Sequence, residues 1–260
     1  KLKKIVIENQ PDFIFHLAAQ STVSESYRDP LDTIKTNVIG STNILESVRS
    51  LKKNIKIVMI TSDKVYKNNE WEWGYRENDA LGGVDPYSAS KAATELIIKS
   101  YFKSFLKNKK NLTLGVARAG NVIGGGDWSE GRIVPDCIKA WSKNKTVNIR
   151  NPNSTRPWQH VLEPIFGYLI LGSKLNKKID SEAFNFGPPL DQNYSVDKLI
   201  QEMSNYWENI SWTNKNQSNK LMHEAKLLKL NCEKSLLFLN WKPILNFSDA
   251  VSLTIKWYKQ

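Results

Sequence analysis

The stretch IKIVMITSDK, residues 55–64, indicates the fold. It begins with an apolar run and ends with a hydroxyl, a carboxylate and an amine. An apolar run of this length and composition is typical of a strand buried on both faces of a parallel sheet. In such sheets, ligands bind outside the carboxyl ends of the strands. Ser62, Asp63 and Lys64 therefore stand where a catalytic site is expected.

The segments on either side repeat the alternation of strand and helix. Residues 11–20, PDFIFHLAAQ, predict a short buried strand, and residues 29–51 carry apolar side chains at helical spacing after the N-cap candidate Asp29. A second helix is predicted over 85–105 and another strand over 112–120. This alternation predicts an α/β fold with a doubly wound parallel sheet.

The regular rhythm loosens after about Gly125, where short strands and turns are interleaved with helices. We therefore assign residues 1–125 to a partial dinucleotide-binding domain of the Rossmann type, to which the chain returns around 155–185. Residues 126–260 are assigned mainly to a smaller α/β lobe that binds the substrate over the carboxyl edge of the sheet.

The composition excludes several classes of protein. With 40% hydrophobic and 24% charged residues, the chain is globular rather than disordered. It shows neither a membrane-spanning apolar stretch nor a signal-peptide pattern, so we expect a cytoplasmic protein without a membrane partner. Its two cysteines and its histidines, His16, His160 and His223, lack ligand spacing, so no metal site is predicted.

The formal net charge of +11 raises the question of a nucleic-acid partner. The lysines come in short groups, without an arginine-rich arm or a nucleic-acid motif. We interpret them as solvated faces and expect no nucleic-acid partner, while a phosphate-bearing substrate is compatible with the charge.

A tyrosine and a lysine four residues apart open the helix predicted over 85–105. Tyr87 and Lys91 share one helix face, so the ammonium can lie beside the phenol. A nearby cation favours the phenolate and makes Tyr87 a usable base near neutral pH. Alone the pair is a weak signal, but its position after HLAAQ (16–20) and after the Ser62–Lys64 triplet makes the combination specific.

Together these motifs resemble the extended short-chain dehydrogenase/reductase family, whose catalytic hydroxyl, tyrosine and lysine match Ser62, Tyr87 and Lys91. Within it, sugar-nucleotide 4,6-dehydratases carry Thr-Asp-Glu after the same strand, and the similar CDP-glucose branch reads Ser-Asp-Lys, as residues 62–64 do here. Five further stretches look like that branch: GYRENDALGGVDPYSASK (74–91), ARAGNVIGGGDW (117–128), RIVPDCIKAW (132–141), IRNPNSTRPWQHVLEP (149–164) and LNWKP (239–243).

The resemblance implies NAD as cofactor and CDP-glucose, or a similar sugar nucleotide, as substrate. The sugar would be oxidised at C4, lose water across C5 and C6 and be reduced at C6, giving CDP-4-keto-6-deoxyglucose. Tyr87 would take the 4-hydroxyl proton, Ser62 would hydrogen-bond the C4 oxygen, and Lys91 would support the phenolate and hold the nicotinamide ribose. We assign Asp63 as the acid of the elimination and Lys64 as its base, kept neutral by burial and by the neighbouring cation Lys91.

The resemblance also supplies the binding residues. The cofactor set is Ala18, Ala19, Gln20, Asn37, Tyr87, Lys91, Ala119 and Val122, and the substrate set is Ser62, Asn121, Arg132 and Arg156. Guanidinium forks suit a diphosphate, and Arg156 is the stronger candidate, since Arg132 and Arg150 fit the surface equally well. Trp158 fits the core of the lobe better than a stacking role, and His160 is assigned no role.

One element of a dinucleotide-binding fold is not found. Nothing before residues 11–20 resembles the strand, glycine-rich turn and helix that receive a pyrophosphate, and the glycines at 124–126 belong to the substrate half. We expect an N-terminally incomplete sheet, by roughly 70–100 residues on ordinary βαβ lengths, with an unpaired strand edge. A gene fragment, an omitted N-terminus and a split protein stay open, as does the activity of the chain alone.

Two other functions stay open. Another extended-family member, such as an epimerase, a decarboxylase or a GDP-mannose dehydratase, is disfavoured by Lys64. A non-catalytic remnant that binds sugar nucleotides is the second.

The helix at 87–105 predicts the oligomeric state. Its apolar residues cover so wide an arc that a second face must be buried, and relatives pair through such helices, so we expect a homodimer. These residues are Ala89, Ala92, Ala93, Leu96, Ile97, Tyr101, Phe102 and Phe105.

Overall fold

The structure is a computed structural model that describes residues 1–214 and 227–260, so His223 lies outside the described residues. Its main sheet is parallel, with the strand order β1-β2-β3-β8, and three two-stranded pairs, β4–β7, β5–β10 and β6–β9, accompany it in the described ranges. The strands are β1 (Phe13–His16), β2 (Ile55–Ile60), β3 (Leu112–Ala119), β4 (Val122–Ile123), β5 (Val147–Asn148), β6 (Thr155–Arg156), β7 (Gln159–His160), β8 (Glu182–Phe186), β9 (Tyr194–Ser195) and β10 (Trp212–Thr213).

The helix predicted over 29–51 is interrupted by a π-helical segment. Its N-terminus is capped as predicted, since the Asp32 N–H donates to the Asp29 carboxylate at 2.9 Å and Pro30 opens the first turn. The helices are α1 (Leu2–Asn9), α2 (Val23–Arg28), α3 (Pro30–Ile34), α4 (Gly40–Val48), α5 (Pro86–Tyr101), α6 (Ile133–Trp141), α7 (Leu162–Lys174), α8 (Val196–Ser204), α9 (Glu233–Leu239) and α10 (Phe247–Lys259), with π-helical segments at Lys35–Ile39 and Phe102–Leu106 and a 3₁₀ turn at Asp63–Val65.

The main sheet is covered on both faces, as a doubly wound fold requires. Ile57 of β2 packs with Leu45 of α4 and Ile98 of α5, whereas the next residue, Val58, packs with Leu171 of α7 on the other side. Successive residues of a strand point to opposite faces, so one apolar run serves two layers. The predicted α/β class with a doubly wound parallel sheet is therefore confirmed.

The register brings the ends of the strands to one edge. His16 of β1 pairs with Met59 of β2, and Ile60, the last residue of β2, pairs with Ala117 of β3. The segments that follow β1, β2 and β3 therefore emerge side by side, and the Ser62–Lys64 turn lies between the other two.

A separate apolar cluster builds the lobe beside this edge. Trp158 lies in that cluster, and its indole N–H donates to the Tyr194 carbonyl at 3.1 Å, so the predicted place in the core is correct. The chain returns to the main sheet with α7 and β8, and again with α9 and Trp241, which pack in the sheet's second cluster. The exact domain bounds stay a prediction.

No helix in residues 1–214 and 227–260 has the length and apolar character to cross a membrane. The same ranges contain no group of three or more His, Cys, Asp or Glu side chains that could hold a metal ion.

Leu171→Ala tests the packing of α7 on the sheet. This side chain is fully buried, so we expect its truncation to lower the free energy of unfolding by about 2–5 kcal/mol in urea denaturation. Leu253→Ala on α10, where the side chain is 43% exposed, is the matched control and should change it by no more than about 0.5 kcal/mol. Equal losses in both variants would contradict the placement of α7.

Candidate active site

The turn after β2 is held by its own hydroxyl. Ser62 caps the 3₁₀ turn, since its Oγ accepts the Lys64 backbone N–H at 3.2 Å and donates to Asp63 Oδ1 at 3.0 Å. Asp63 also accepts from the Lys64 ammonium at 3.3 Å and from Asn121 Nδ2 at 2.9 Å. Its carboxylate is fully buried but has three hydrogen-bond donors around it.

Gly120 is a site residue that the sequence analysis missed. A Cβ at this position would lie 1.9 Å from the Asp63 carboxyl carbon, so any side chain larger than hydrogen would displace the carboxylate. The next residue, Asn121, has a φ of 53°, a left-handed conformation that turns its amide towards Asp63. The only signal in the sequence is a glycine placed between a strand end and an asparagine.

Tyr87 enters the site from the first turn of α5. Asp85 caps this helix by accepting the Ser88 N–H at 2.9 Å. Burial raises the pKa of Tyr87, while the charge of Lys64, a hydrogen bond with Ser62 and the charge of Arg132 lower it. Lys64 and Arg132 are thus two cations that favour the phenolate, and the predicted support from Lys91, four residues along the same helix, stays a prediction.

Lys91 is buried one helical turn further along α5. Burial lowers its pKa to about 8, against the opposing charge of Glu95. Burial and the Lys91 charge also lower the pKa of His16, whose Nε2 lies 3.1 Å from Ser41 Oγ. Lys91 therefore faces the end of β1. The charged group in contact with Lys64 is Asp63, not a second lysine, which corrects the expected environment of that amine.

A cavity of about 660 Å³ opens between this edge of the sheet and the lobe. It gathers most of the predicted catalytic and substrate residues, together with three of the predicted cofactor residues, of which Tyr87 is also catalytic. Those on its wall are Ser62, Asp63, Lys64, Tyr87, Ala119, Asn121, Val122, Arg132 and Arg156. Lys91, Ala18, Ala19, Gln20 and Asn37 are not part of its described lining.

Three arginines line the lobe side of the cavity, Arg132, Arg150 and Arg156. Arg132 donates to Asp127 at 3.0 Å and to Ser21 Oγ at 2.9 Å, so it bridges the lobe and the loop after β1. Arg156 donates to the Thr155 carbonyl at 2.8 Å. Both arginines predicted to bind the substrate, Arg132 and Arg156, thus reach the cavity, and so does Arg150.

The residues predicted for the cofactor follow β1. Ala18 is exposed at the sheet edge, and Ala19 and Gln20 are half-buried beside it. Asn37 is buried and clamps this loop: it accepts the Gln20 N–H at 2.9 Å and donates to the Gln20 carbonyl at 3.0 Å and to Ser90 Oγ at 2.9 Å. Both of its N–H groups are used, so Asn37 positions the loop instead of offering donors to a dinucleotide.

The described residues fit the nicotinamide end of a dinucleotide. The exposed loop after β1 and the Lys91 ammonium, which donates no hydrogen bond to a described residue, lie together at the sheet edge. The glycines at 124–126 serve another purpose, because a Cβ at Gly125 would lie 2.1 Å from the Trp257 ring. Residues 1–214 and 227–260 contain no strand, glycine-rich turn and helix that would cradle a pyrophosphate.

A buried ion pair behind the turn was also missed. Arg118 of β3 donates to both carboxylate oxygens of Glu95 on α5, from Nε at 2.8 Å and from Nη2, and Thr61 donates to Glu95 Oε1 at 2.6 Å. Arg118 Nη1 continues the network to the Tyr66 hydroxyl at 2.8 Å. In the sequence, this ion pair was indicated by Glu95, a carboxylate that follows Lys91 by one helical turn.

Comparison with known proteins agrees with this arrangement. The family model described as GDP-mannose 4,6 dehydratase matches residues 1–254. A CDP-glucose 4,6-dehydratase from Salmonella typhimurium is 41% identical over 266 residues, which cover 100% of this chain and 74% of that protein.

Solved structures share the fold. The structure of Pal from Bacillus thuringiensis has a TM-score of 0.86 at 26% identity and covers 99% of this chain and 79% of its own. A dTDP-glucose 4,6-dehydratase from Bacillus anthracis, in complex with NAD, has a TM-score of 0.80 at 22% identity, over 99% of this chain and 76% of that one. From its sequence, its fold and the matched residues, the chain belongs to the GDP-mannose 4,6 dehydratase family, within the extended short-chain dehydrogenases/reductases that its motifs predict.

Proposed function

We propose that the chain catalyses the NAD-dependent dehydration of CDP-glucose to CDP-4-keto-6-deoxyglucose. The observation that carries this proposal is the meeting of Ser62, Asp63, Lys64 and Tyr87 at one cavity, in a chain that is 41% identical to a CDP-glucose 4,6-dehydratase. The Ser-Asp-Lys triplet favours this substrate over those of other members of the family.

Oxidation at C4 needs a base and a hydrogen-bond donor at one oxygen. Tyr87 takes the proton of the 4-hydroxyl; burial raises the pKa of its phenol, and the charges of Lys64 and Arg132 oppose that rise. Ser62, which already hydrogen-bonds Tyr87, holds the same sugar oxygen. NAD, which Lys91 and the loop after β1 would hold, would supply the hydride acceptor and donor that side chains cannot provide.

Elimination of water needs a base at C5 and an acid at the 6-hydroxyl. The Lys64 ammonium lies 3.3 Å from the Asp63 carboxylate, so one proton transfer converts this ion pair into an amine and a carboxylic acid. The amine then removes the C5 proton, which the C4 ketone has acidified, and the acid protonates the departing hydroxyl. Both side chains return to their starting charges.

The lobe side of the cavity suits the other half of the substrate. Arg132, Arg150 and Arg156 line it, and guanidinium groups match the geometry of phosphate oxygens. We propose that these arginines bind the diphosphate, which leaves the glucose ring over the Ser62–Lys64 turn.

We also propose that two copies pair through α5. Ala92 is buried against the chain's own core, while Leu96 is 58% and Phe105 46% exposed, and Leu31 and Ile34 of the adjacent α3 are exposed as well. Within residues 1–214 and 227–260 this apolar face stays largely exposed, and burying it against a second copy removes it from water.

The reaction is tested by incubating the protein with CDP-glucose and NAD and measuring the alkali-induced absorbance of a 4-keto sugar. We expect signal with CDP-glucose and little with dTDP-glucose or GDP-mannose. Turnover of either of these in preference to CDP-glucose would overturn the substrate. Calorimetric binding of CDP-glucose, without NAD binding or turnover, would instead identify a non-catalytic binder.

Lys64→Met tests the base. We expect turnover to fall by about 10²- to 10⁴-fold and exchange of the C5 hydrogen with deuterated solvent to stop, because the variant lacks the amine. Lys99→Met, at an exposed position of α5, is the control and should behave as the parent. Undiminished C5 exchange in Lys64→Met would assign the base to another group.

Sedimentation velocity tests the dimer. At micromolar concentration we expect a dimer for the parent and a monomer for Leu96→Glu, because a carboxylate in an apolar interface loses its hydration. Leu237→Glu, at a 79% exposed position of α9, should remain dimeric. A monomeric parent would refute pairing through α5.

A further inference from the structure

One face of α5 carries three buried polar side chains. Tyr87, Lys91 and Glu95 follow one another at intervals of four residues, so they share a face of the helix, and all are less than a tenth exposed. The first two belong to the proposed reaction. Glu95 lies one turn further from the cavity and touches neither substrate nor cofactor in that scheme.

Glu95 connects the elements that hold the catalytic groups. Its carboxylate accepts from Arg118 of β3 through two N–H groups and from the hydroxyl of Thr61, the residue directly before Ser62. A bidentate fork fixes the direction of the carboxylate as well as its distance. The end of β2 is therefore tied to α5 at a buried point behind the site.

Stability alone does not account for such a pair. Glu95 is 6% and Arg118 3% exposed, and the loss of hydration of two buried charges offsets much of their attraction. Apolar residues of similar volume would fill the same space at comparable stability. What they would lose is the hydrogen bond to Thr61 and a negative charge facing Lys91.

We propose that Glu95, held by Arg118, is a positioning residue of the dehydration, which fixes the Ser62–Lys64 turn against α5 and places a negative charge one helical turn from Lys91. This inference rests on the proposed function. The Glu95 contact explains how the two halves of the site, one on the turn and one on the helix, are held together although residues 65–84 separate them in sequence.

The charge around Lys91 gives the sign of the expected effect. The titratable groups that face its ammonium are Glu95 on the same helix and His16 at the end of β1, and Arg118 lies behind Glu95 on β3. Burial lowers the Lys91 pKa to about 8, and the Glu95 charge opposes that shift. Without this charge the pKa falls further, so Lys91 loses its proton at a lower pH.

The test measures the Lys91 titration by NMR in lysine-labelled full-length chain, with the signal assigned from Lys91→Met. In Glu95→Gln we expect a midpoint about 1 pH unit lower than in the parent. Glu163→Gln is the matched control, because Glu163 is equally buried but accepts the N–H groups of Ile244 and Leu245 away from the site. A midpoint that does not move in Glu95→Gln, or moves as far in the control, overturns the proposal.

Thr61→Val tests the positioning role of Glu95 separately from the effect of its charge on Lys91. It removes the hydroxyl but leaves the ion pair, so the amides of Lys64 and Val65 should exchange faster with solvent while the Lys91 midpoint stays. Unchanged exchange at both amides, in Thr61→Val and in Glu95→Gln, contradicts the positioning role. Neither measurement needs turnover, so an inactive parent would count against the proposed function and not against this inference.

In a protein that does turn over CDP-glucose, Glu95→Gln should lower kcat about 10- to 100-fold. The alkaline limb of its pH profile should also move to lower pH. Loss of rate with an unshifted profile would show that Glu95 does not act on Lys91.

Discussion

The arrangement of this site depends on one fully buried carboxylate, that of Asp63. Asp63 is out of contact with water, and an ionised group in that position persists only where donors surround it. Ser62 and Lys64 supply two donors from the same turn, and Asn121 supplies the third from the end of β3. The left-handed backbone at Asn121 and the absence of a side chain at Gly120 are the local consequences of bringing that third donor close.

The layers of the fold could be predicted because periodicity is a local property. The runs at 55–60 and 112–119 are mostly apolar at both odd and even positions, which indicates strands covered on both sides, and the caps at Asp29 and Asp85 mark where helices begin. The π-helical segment at Lys35–Ile39 could not be foreseen, since no proline or glycine in it signals a change of helix type.

The chemistry of the site was predictable in its residues but not in their partners. Ser62, Asp63, Lys64 and Tyr87 follow from a motif, yet the effect of Lys64 and Arg132 on the pKa of Tyr87 depends on side-chain directions that spacing along the sequence does not give. The hydrogen-bonded pairs behind these residues join positions that lie far apart in the sequence. Glu95 meets Arg118 across 23 residues and Tyr66 meets Asn185 across 119, and no local pattern connects such positions.

The contact between Trp257 and Gly125 links α10 to the loop beside the cavity. Tyr258, the next residue, donates to the Asp127 carbonyl at 2.6 Å, so the last turn of α10 supports the glycine loop from outside while Asp127 lines the cavity from inside. A substitution in this turn of α10 therefore alters the support of the cavity wall as well as the packing of the helix.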